Sequence, residues 1–425
     1  MKIHPHDMLL EDLLLSLNEG HKDVFFHVTR CILCRTRVHY LPRERSRPRA
    51  EALPREIGKE RREALGLYVE LTGLPAGEVD AALREEPRFH TGALCELLAE
   101  RSLEMAAGDP AFAEELGLFA LRLSEHLDAG RYGEERIQNL RARAWAHVGN
   151  ACRVRFNLQG AEEAFERAAA LLEKGTGEPL GRGIFLDLQA SLRRDQRRFS
   201  EALGLLRKAV SLFLRSGDKH RAGRSLVKMA TVHHEEGQPE ESIPLLYQAL
   251  GFVDPEQEPR LLLCAHHNLI AYLAASGRFV EAGDRYQQAR PLYRSFAEPW
   301  VQNRRKWAKG KIERGLGNPR RAEALLLAAR NGFLAEGVPY DTALVSLELA
   351  TLYAEEGRTG ELKRLAQETL PIFASRQIHR EALAAFAFLH QAIEAEKASL
   401  ELVTRVAGFL RRAQNDPALR FEPPA

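Results

Sequence analysis

Three side chains able to hold a soft metal ion fall in one short stretch, His27-Val-Thr-Arg-Cys31-Ile-Leu-Cys34. On a helix these three lie at about 0°, 40° and 340° around the axis, so the imidazole and both sulfurs share one stripe. A tetrahedral zinc ion takes four nitrogen or sulfur ligands, and the stripe offers three. The fourth has to come from another element. His4 and His6 stand just before a leucine-rich helical stretch, DMLLEDLLLSL, that Gly20 can end. If that helix folds back on the one carrying His27, two lengths of about 13 to 18 residues, roughly 20 to 27 Å, bring the chain start near the cysteines. Four protein ligands leave no open position for a substrate, so such an ion is structural. The same residues also fit a small helical hairpin that buries His and Cys as ordinary core.

A histidine near the start, a short leucine-rich helix, then His-x3-Cys-x2-Cys some twenty-odd residues on resembles the zinc-binding domain of bacterial anti-sigma factors. The resemblance spans residues 1–40 and implies His4, His27, Cys31 and Cys34 as the zinc ligands, with His6 as the substitute for His4. It also implies a sigma factor as a partner, although no membrane anchor follows and the next segment, RVHYLPRERSRPRAEALPREIGKERR, is rich in proline and arginine. Residues 30–62 carry eleven Lys or Arg against four acids, and Pro42, Pro48 and Pro54 stiffen residues 41–65 into a semi-rigid linker. A basic linker beside a zinc module could touch nucleic acid phosphates, which need little besides positive charge. A solvated linker is the plainer expectation, and nucleic acid is not the expected partner.

The rest of the chain has to position any such module. Sixty-one Lys and Arg against fifty-nine Asp and Glu leave it near neutrality. Any pull on polyanions must therefore be local. Ala, Leu, Glu and Arg dominate while aromatic and β-branched residues are sparse, which suits helix and predicts almost no strand. Five cysteines, three of them single within helical patterns, fit a reducing compartment. No uninterrupted apolar run reaches membrane length and no cleavage signal follows the first helix, so a soluble, cytoplasmic protein is expected.

Internal periodicity is the strongest pattern. Helical segments beginning near Gly160, Phe199, Pro239, Phe279 and Pro319 each carry a small residue, a large apolar one four on, and alanine three further. The small residues are Ala161, Ala202, Ser242, Ala282 and Ala322, spaced 41, 40, 40 and 40, with a weaker copy at Leu362 and an earlier one at Ala113 and Ala120. Gly108, Gly237, Gly277, Gly317 and Gly357 each stand five residues before the small position, where a left-handed cap closes one helix and starts the next. A helix pair of this size cannot bury its own apolar faces, so neighbours must share a core. The stretch WAHVGNACRVRFNLQGAEEAFERA resembles the tetratricopeptide repeat, with Trp145, Val148, Gly149, Cys152, Ala161, Phe165 and Ala168 on the family's positions. The resemblance covers about residues 90–375 and implies an all-α, right-handed superhelix of helical hairpins. A period of 40 instead of the familiar thirty-four asks for longer helices or turns. The array is read as 66–378, followed at 379–425 by one long capping helix and an irregular tail.

In the resembled family the first helix of each pair lines the inner wall. Carried across, the wall holds Arg143, Asn150, Arg153, Arg194, Arg224, His234, His267, Asn268, Arg304, Trp307, Lys311 and Arg314, against Asp187, Asp195, Glu235 and Glu355. It leans basic, and Asn150 and Asn268 sit where the family places amides that grip a peptide backbone. An acidic peptide or carboxylate terminus is the expected guest. The doublets His233-His234 and His266-His267 do not make a metal site, because adjacent helical residues point about 100° apart. No glycine-rich phosphate loop, HExxH, nucleophile elbow or carboxylate pair argues for catalysis. The expected function is a non-enzymatic scaffold that binds a protein partner, with a regulatory zinc module. The alternative is a nucleic-acid-associated regulator.

Overall fold

The computed structural model describes residues 55–374, parts of 387–413, and 419–422. His4, His27, Cys31 and Cys34, with the first part of the linker, lie outside the described residues. Among the described residues every regular element is helical. The chain divides into two compact units. The first runs to Val232 and takes in Gly251–Val253; the second holds His233–Leu250 and continues from Asp254.

The first unit contains α1 (Arg55–Gly73), α2 (Ala76–Glu85), α3 (Gly92–Met105), α4 (Pro110–Ser124), α5 (Glu134–Val154), α6 (Leu158–Leu172), α7 (Pro179–Asp195), α8 (Phe199–Arg215) and most of α9 (Lys219–Glu235). Helix α1 begins inside the stretch read as linker. Its Ala64 and Leu71 are buried, and Glu60 accepts a 2.8 Å hydrogen bond from the Tyr132 hydroxyl. Glu60 and Ala64 thus join the start of this helix to the array, under a run of charge.

The second unit contains α10 (Pro239–Phe252), α11 (Pro259–Ala275), α12 (Phe279–Arg294), α13 (Pro299–Gly315), α14 (Pro319–Ala335), α15 (Pro339–Glu355), α16 (Thr359–Ala374) and α17 (Leu400–Ala413). Second helices start at residues 199, 239, 279, 319 and 359, and first helices at 179, 219, 259, 299 and 339. Both series step by forty. Most of these helices are 17 residues long, about 25 Å, which is where the extra length over the shorter repeat goes. Proline opens α7, α10, α11, α13, α14 and α15, where its missing N–H costs nothing.

The small positions do what their spacing asks. Ala161, Ala202, Ser242, Ala282 and Ala322 are all fully buried, as are the alanines seven residues on, Ala168, Ala209, Ala249, Ala289 and Ala329. Between them Phe165, Leu206, Leu246, Tyr286 and Leu326 fill the hairpin core. At Gly310 a β-carbon would meet Leu326 at 2.8 Å, so the two helices of that hairpin approach as closely as glycine permits.

Each turn between the helices of these hairpins closes in the same way. Gln238 N–H donates to His233 O at 2.8 Å and Gly237 N–H to His234 O at 3.0 Å, the paired pattern that ends a helix on a left-handed residue. Gly237, Gly277, Gly317 and Gly357 supply that residue, with φ between 67° and 85°. Two turns of the first unit reach the same conformation without glycine, at Phe156 (φ 61°) and Arg197 (φ 62°). Gly108 departs from expectation: it is not among the positive-φ residues, and Asp109, whose carboxylate caps Phe112 N–H at 3.0 Å, starts α4 instead.

Phe156 is 90% exposed, so its side chain gains little that offsets the left-handed backbone. Phe156→Gly is expected to raise stability by about 1 kcal/mol, read as a higher urea midpoint for the full chain. An unchanged or lower midpoint would contradict the strain.

The one long helix expected after residue 379 is interrupted. Ser399 is not helical, and its hydroxyl accepts the Leu402 N–H at 3.1 Å, which starts α17 as a separate element. Competition from a side-chain cap beats continuation. The tail at 419–422 is irregular, and Phe421 packs edge-on against Phe409 with ring centroids 5.1 Å apart.

Candidate functional site

First helices of neighbouring hairpins pack side by side within each unit: α3, α5 and α7 in the first, α11, α13 and α15 in the second. The residues expected on an inner wall therefore fall into two sets. Arg143, Asn150, Arg153, Arg194 and Arg224 belong to the first unit. His234, His267, Asn268, Arg304, Trp307, Lys311 and Arg314 belong to the second.

In the first unit most of these cations are already bound. Arg143 donates to Glu100 at 3.0 Å, joining α5 to α3, and Arg153 donates to Asp195 at 2.5 Å, joining α5 to α7. Arg153 also donates to the side-chain oxygen of Asn150 at 2.9 Å, and Arg194 to Asp195 at 2.8 Å. Asn150 is 5% exposed, so its oxygen serves the helix layer and not a guest.

Asp187 is the centre of a buried cluster. Lys228 Nζ donates to its carboxylate at 2.6 Å and to Ser191 Oγ at 3.0 Å, while Ser225 Oγ donates to the other carboxylate oxygen at 2.6 Å. Burial pulls the Lys228 ammonium below its ordinary range, and the adjacent Asp187 carboxylate pulls the other way. Neither Lys228 nor Ser225 was singled out from the sequence. Each lies on α9 about one period from its α7 partner, which is the spacing a search for cross-repeat pairs would use.

The second unit repeats the theme with different residues. Arg304 donates to Asp341 at 3.0 Å and its guanidinium lies 5.8 Å from the Trp300 ring centroid. Lys311 and Arg314 both approach Glu348 at 3.4 Å, and Arg314 lies 3.8 Å from Glu355. Asp341 and Glu348 are buried, at 5% and 3% exposure, so carboxylates lie beneath the cations. Arg304 and Asp341 are 37 residues apart, as are Lys311 and Glu348: one period less about a helical turn. Single-helix reading hides such pairs because the partner always sits in the next repeat.

Aromatic contacts hold the other members. His234 stacks on Tyr272 with centroids 4.0 Å apart, and His267 shares a 2.8 Å hydrogen bond with the Tyr293 hydroxyl. Burial, with Arg304 next in weight, pushes His267 down to about 4, so it is neutral at pH 7. Trp307 lies edge-on to Phe333 at 6.1 Å, and Asn268 is half-buried on α11. What the second unit presents is a partly exposed row of amide, indole and paired cations on rigid helices. Among the described residues there is no group of three or more His, Cys, Asp or Glu side chains placed to hold a metal.

The sequence matches the family model described as SNAP, soluble NSF attachment protein, over residues 142–312, less than half of the chain. Among solved structures, "Crystal Structure of Rap Protein Complexed with Competence and Sporulation Factor" is similar in fold. Its TM-score is 0.52 at 14% identity, covering 76% of this chain and 87% of that one. The fold is of tetratricopeptide type. No protein of curated function matches the sequence. The tetratricopeptide-type array thus rests on the forty-residue spacing and on a backbone likeness that agree. No helix among the described residues is long and apolar enough to cross a membrane.

Proposed function

We propose that this chain is a non-enzymatic scaffold whose first-helix layer binds a peptide or protein partner. The observation that carries the reading is the row formed by His267, Asn268, Arg304, Trp307, Lys311 and Arg314 on successive first helices of the second unit. Rigid helices place these polar and aromatic groups, and none of the described neighbours covers Asn268, Arg304 or Trp307 completely. The Rap protein of similar fold was solved in complex with competence and sporulation factor, which supports a protein-binding role for such an array.

An acidic guest, favoured by the number of cations, has to compete with Asp341, Glu348 and Glu355 for the same N–H donors. A contact of the half-buried Asn268 amide to a peptide backbone faces no such competition, whereas the Trp307 indole N–H is buried. A zinc module at His4, His27, Cys31 and Cys34, with a sigma factor as its partner, rests on the residue spacing alone and adds a second, regulatory contact in this proposal.

Asn268→Trp fills the row without removing an ion pair. Cross-linked capture from cell extract is expected to recover a partner with the full chain and at least tenfold less of it with Asn268→Trp. Equal recovery places the contact elsewhere. Zinc measured on the same preparations bears on the N-terminal module: one ion per chain, absent from Cys31→Ser, is the expected result, and a metal-free chain rejects it.

A further inference from the structure

Helix α1 carries apolar residues on two opposite sides, and its neighbours use one of them. Ala64 and Leu71 are buried, Arg61 donates to Glu96 of α3 at 3.2 Å, and the Arg101 guanidinium of α3 lies 5.9 Å from the Tyr68 ring centroid. That side packs on α3. Val69 points about 140° away from Ala64 and about 160° away from Leu71 around the helix axis. It is 62% exposed, and Leu65, one turn before it, is 53% exposed. Beside them a β-carbon at Gly66 would meet nothing within 4 Å. No other two exposed large apolar residues among those described stand one helical turn apart. Single exposed leucines are ordinary, but the outer face of a helix that starts a repeat array is expected to be polar.

The same face carries a spare cation. Lys59 and Arg61 have carboxylate partners in Glu63 and Glu96, whereas the exposed Arg62, one turn before Leu65 and Gly66, has none among the described residues. A cover for this face should therefore be apolar and acidic.

The chain supplies such a stretch. Met8–Leu17, MLLEDLLLSL, has seven apolar residues in ten, and its two charged residues, Glu11 and Asp12, are both acidic. That is more apolar surface than one helical stripe takes, so a stripe remains for α1 when another faces the helix of His27. The other apolar stretch before α1, Val24–Cys34, contains Arg30 and is followed by Arg35 and Arg37, which would bring cations to a cation. Reach is no obstacle. From Arg55 back along α1 to Leu65 and Val69 is about 15 to 21 Å, which about five to seven extended residues cover, and residues 18–54 are several times that length.

We propose that the Leu65–Val69 face of α1 is the seat of the chain's own Met8–Leu17 stretch. Its leucines close the start of the array against Leu65, Gly66 and Val69, and Glu11 and Asp12 lie beside Arg62. Whatever the N-terminal residues bind is thereby delivered beside α1 and not at the free end of a linker. The seat requires neither zinc nor the row on α11 and α13.

The test places the photoreactive residue benzoylphenylalanine at Val69 of the full chain. After irradiation and trypsin digestion, the expected product is a cross-link within one chain between Glu63–Arg84 and Ile3–Lys22. Its yield is expected to fall at least fivefold when Leu13→Glu and Leu14→Glu are made together, and at least threefold in Arg62→Glu, in chains whose circular dichroism matches the parent. An unchanged yield in either variant overturns the proposal. Cross-links between two chains also overturn it and assign the face to a second copy. Cross-links to any other stretch do the same for that stretch, and no cross-link from Val69 or, in a second chain, from Leu65 leaves the face uncovered and the proposal rejected.

Discussion

Asp187→Ala is expected to lower the stability of the first unit by about 3 kcal/mol, because it strands the Lys228 ammonium in the layer between α7 and α9. The lower end of the range for broken buried pairs applies, since the Lys228 side chain keeps 27% of its surface exposed and can reach water. Ser191 and Ser225 cannot neutralise it. Their hydroxyls carry no charge and can at most accept a hydrogen bond from it. Removing both charges is a different experiment. Asp187→Ala combined with Lys228→Met replaces an ion pair by apolar groups, and most of the loss should return, giving a coupling of about 2 kcal/mol in the double-mutant cycle. Urea midpoints of the four chains decide it. If the double variant is as unstable as Asp187→Ala alone, the carboxylate matters through packing or through Ser225 and not through Lys228.

Acid should destabilise both units well before their carboxylates titrate. Burial pushes His147 down to about 3, and His266 and His267 down to about 4, from an ordinary value of 6.5. The folded chain therefore holds these rings neutral at a pH where the unfolded chain protonates them. Stability is fully present above pH 6.5 and falls as pH drops from there toward 4. At pH 5 the cost is about 2 kcal/mol for His147, which is 1% exposed, and roughly as much again for the partly exposed His266–His267 pair taken together. Both ring nitrogens of His147 are buried without a hydrogen-bond partner, so His147→Leu should gain about 1 kcal/mol at pH 7 and flatten the pH dependence of the first unit. Melting temperatures at pH 7 and pH 5 measure both effects. A His147→Leu chain with an unchanged pH slope would assign the acid sensitivity to other groups.

The repeat was legible because its determinants are local and periodic. A small residue that lets two helices close, followed by large apolar ones at helical spacing, recurs every forty positions from Ala161 to Ala322, and burial follows it without exception. The glycine turns were legible for the same reason, except at Gly108, where a carboxylate cap does the work, and at Phe156 and Arg197, where residue type hides the conformation. The candidate face was half legible. Its residues fall on first helices as expected, yet nothing in a single helix shows that Arg304 is bound to Asp341 or that Glu348 lies under Lys311 and Arg314. Those partners are set by how neighbouring hairpins are rotated, a tertiary quantity.

Charge pairs that bridge neighbouring hairpins give each joint a property that grease alone does not supply. Apolar surfaces tolerate small sliding, whereas the Arg304–Asp341 and Lys311–Glu348 pairs favour the settings of α13 against α15 that keep donor and acceptor within reach. Each joint thus behaves as a pivot with a detent. Added electrolyte weakens the detent most where the cation is solvent-facing, so the pitch between neighbours softens while the dry interior stays intact.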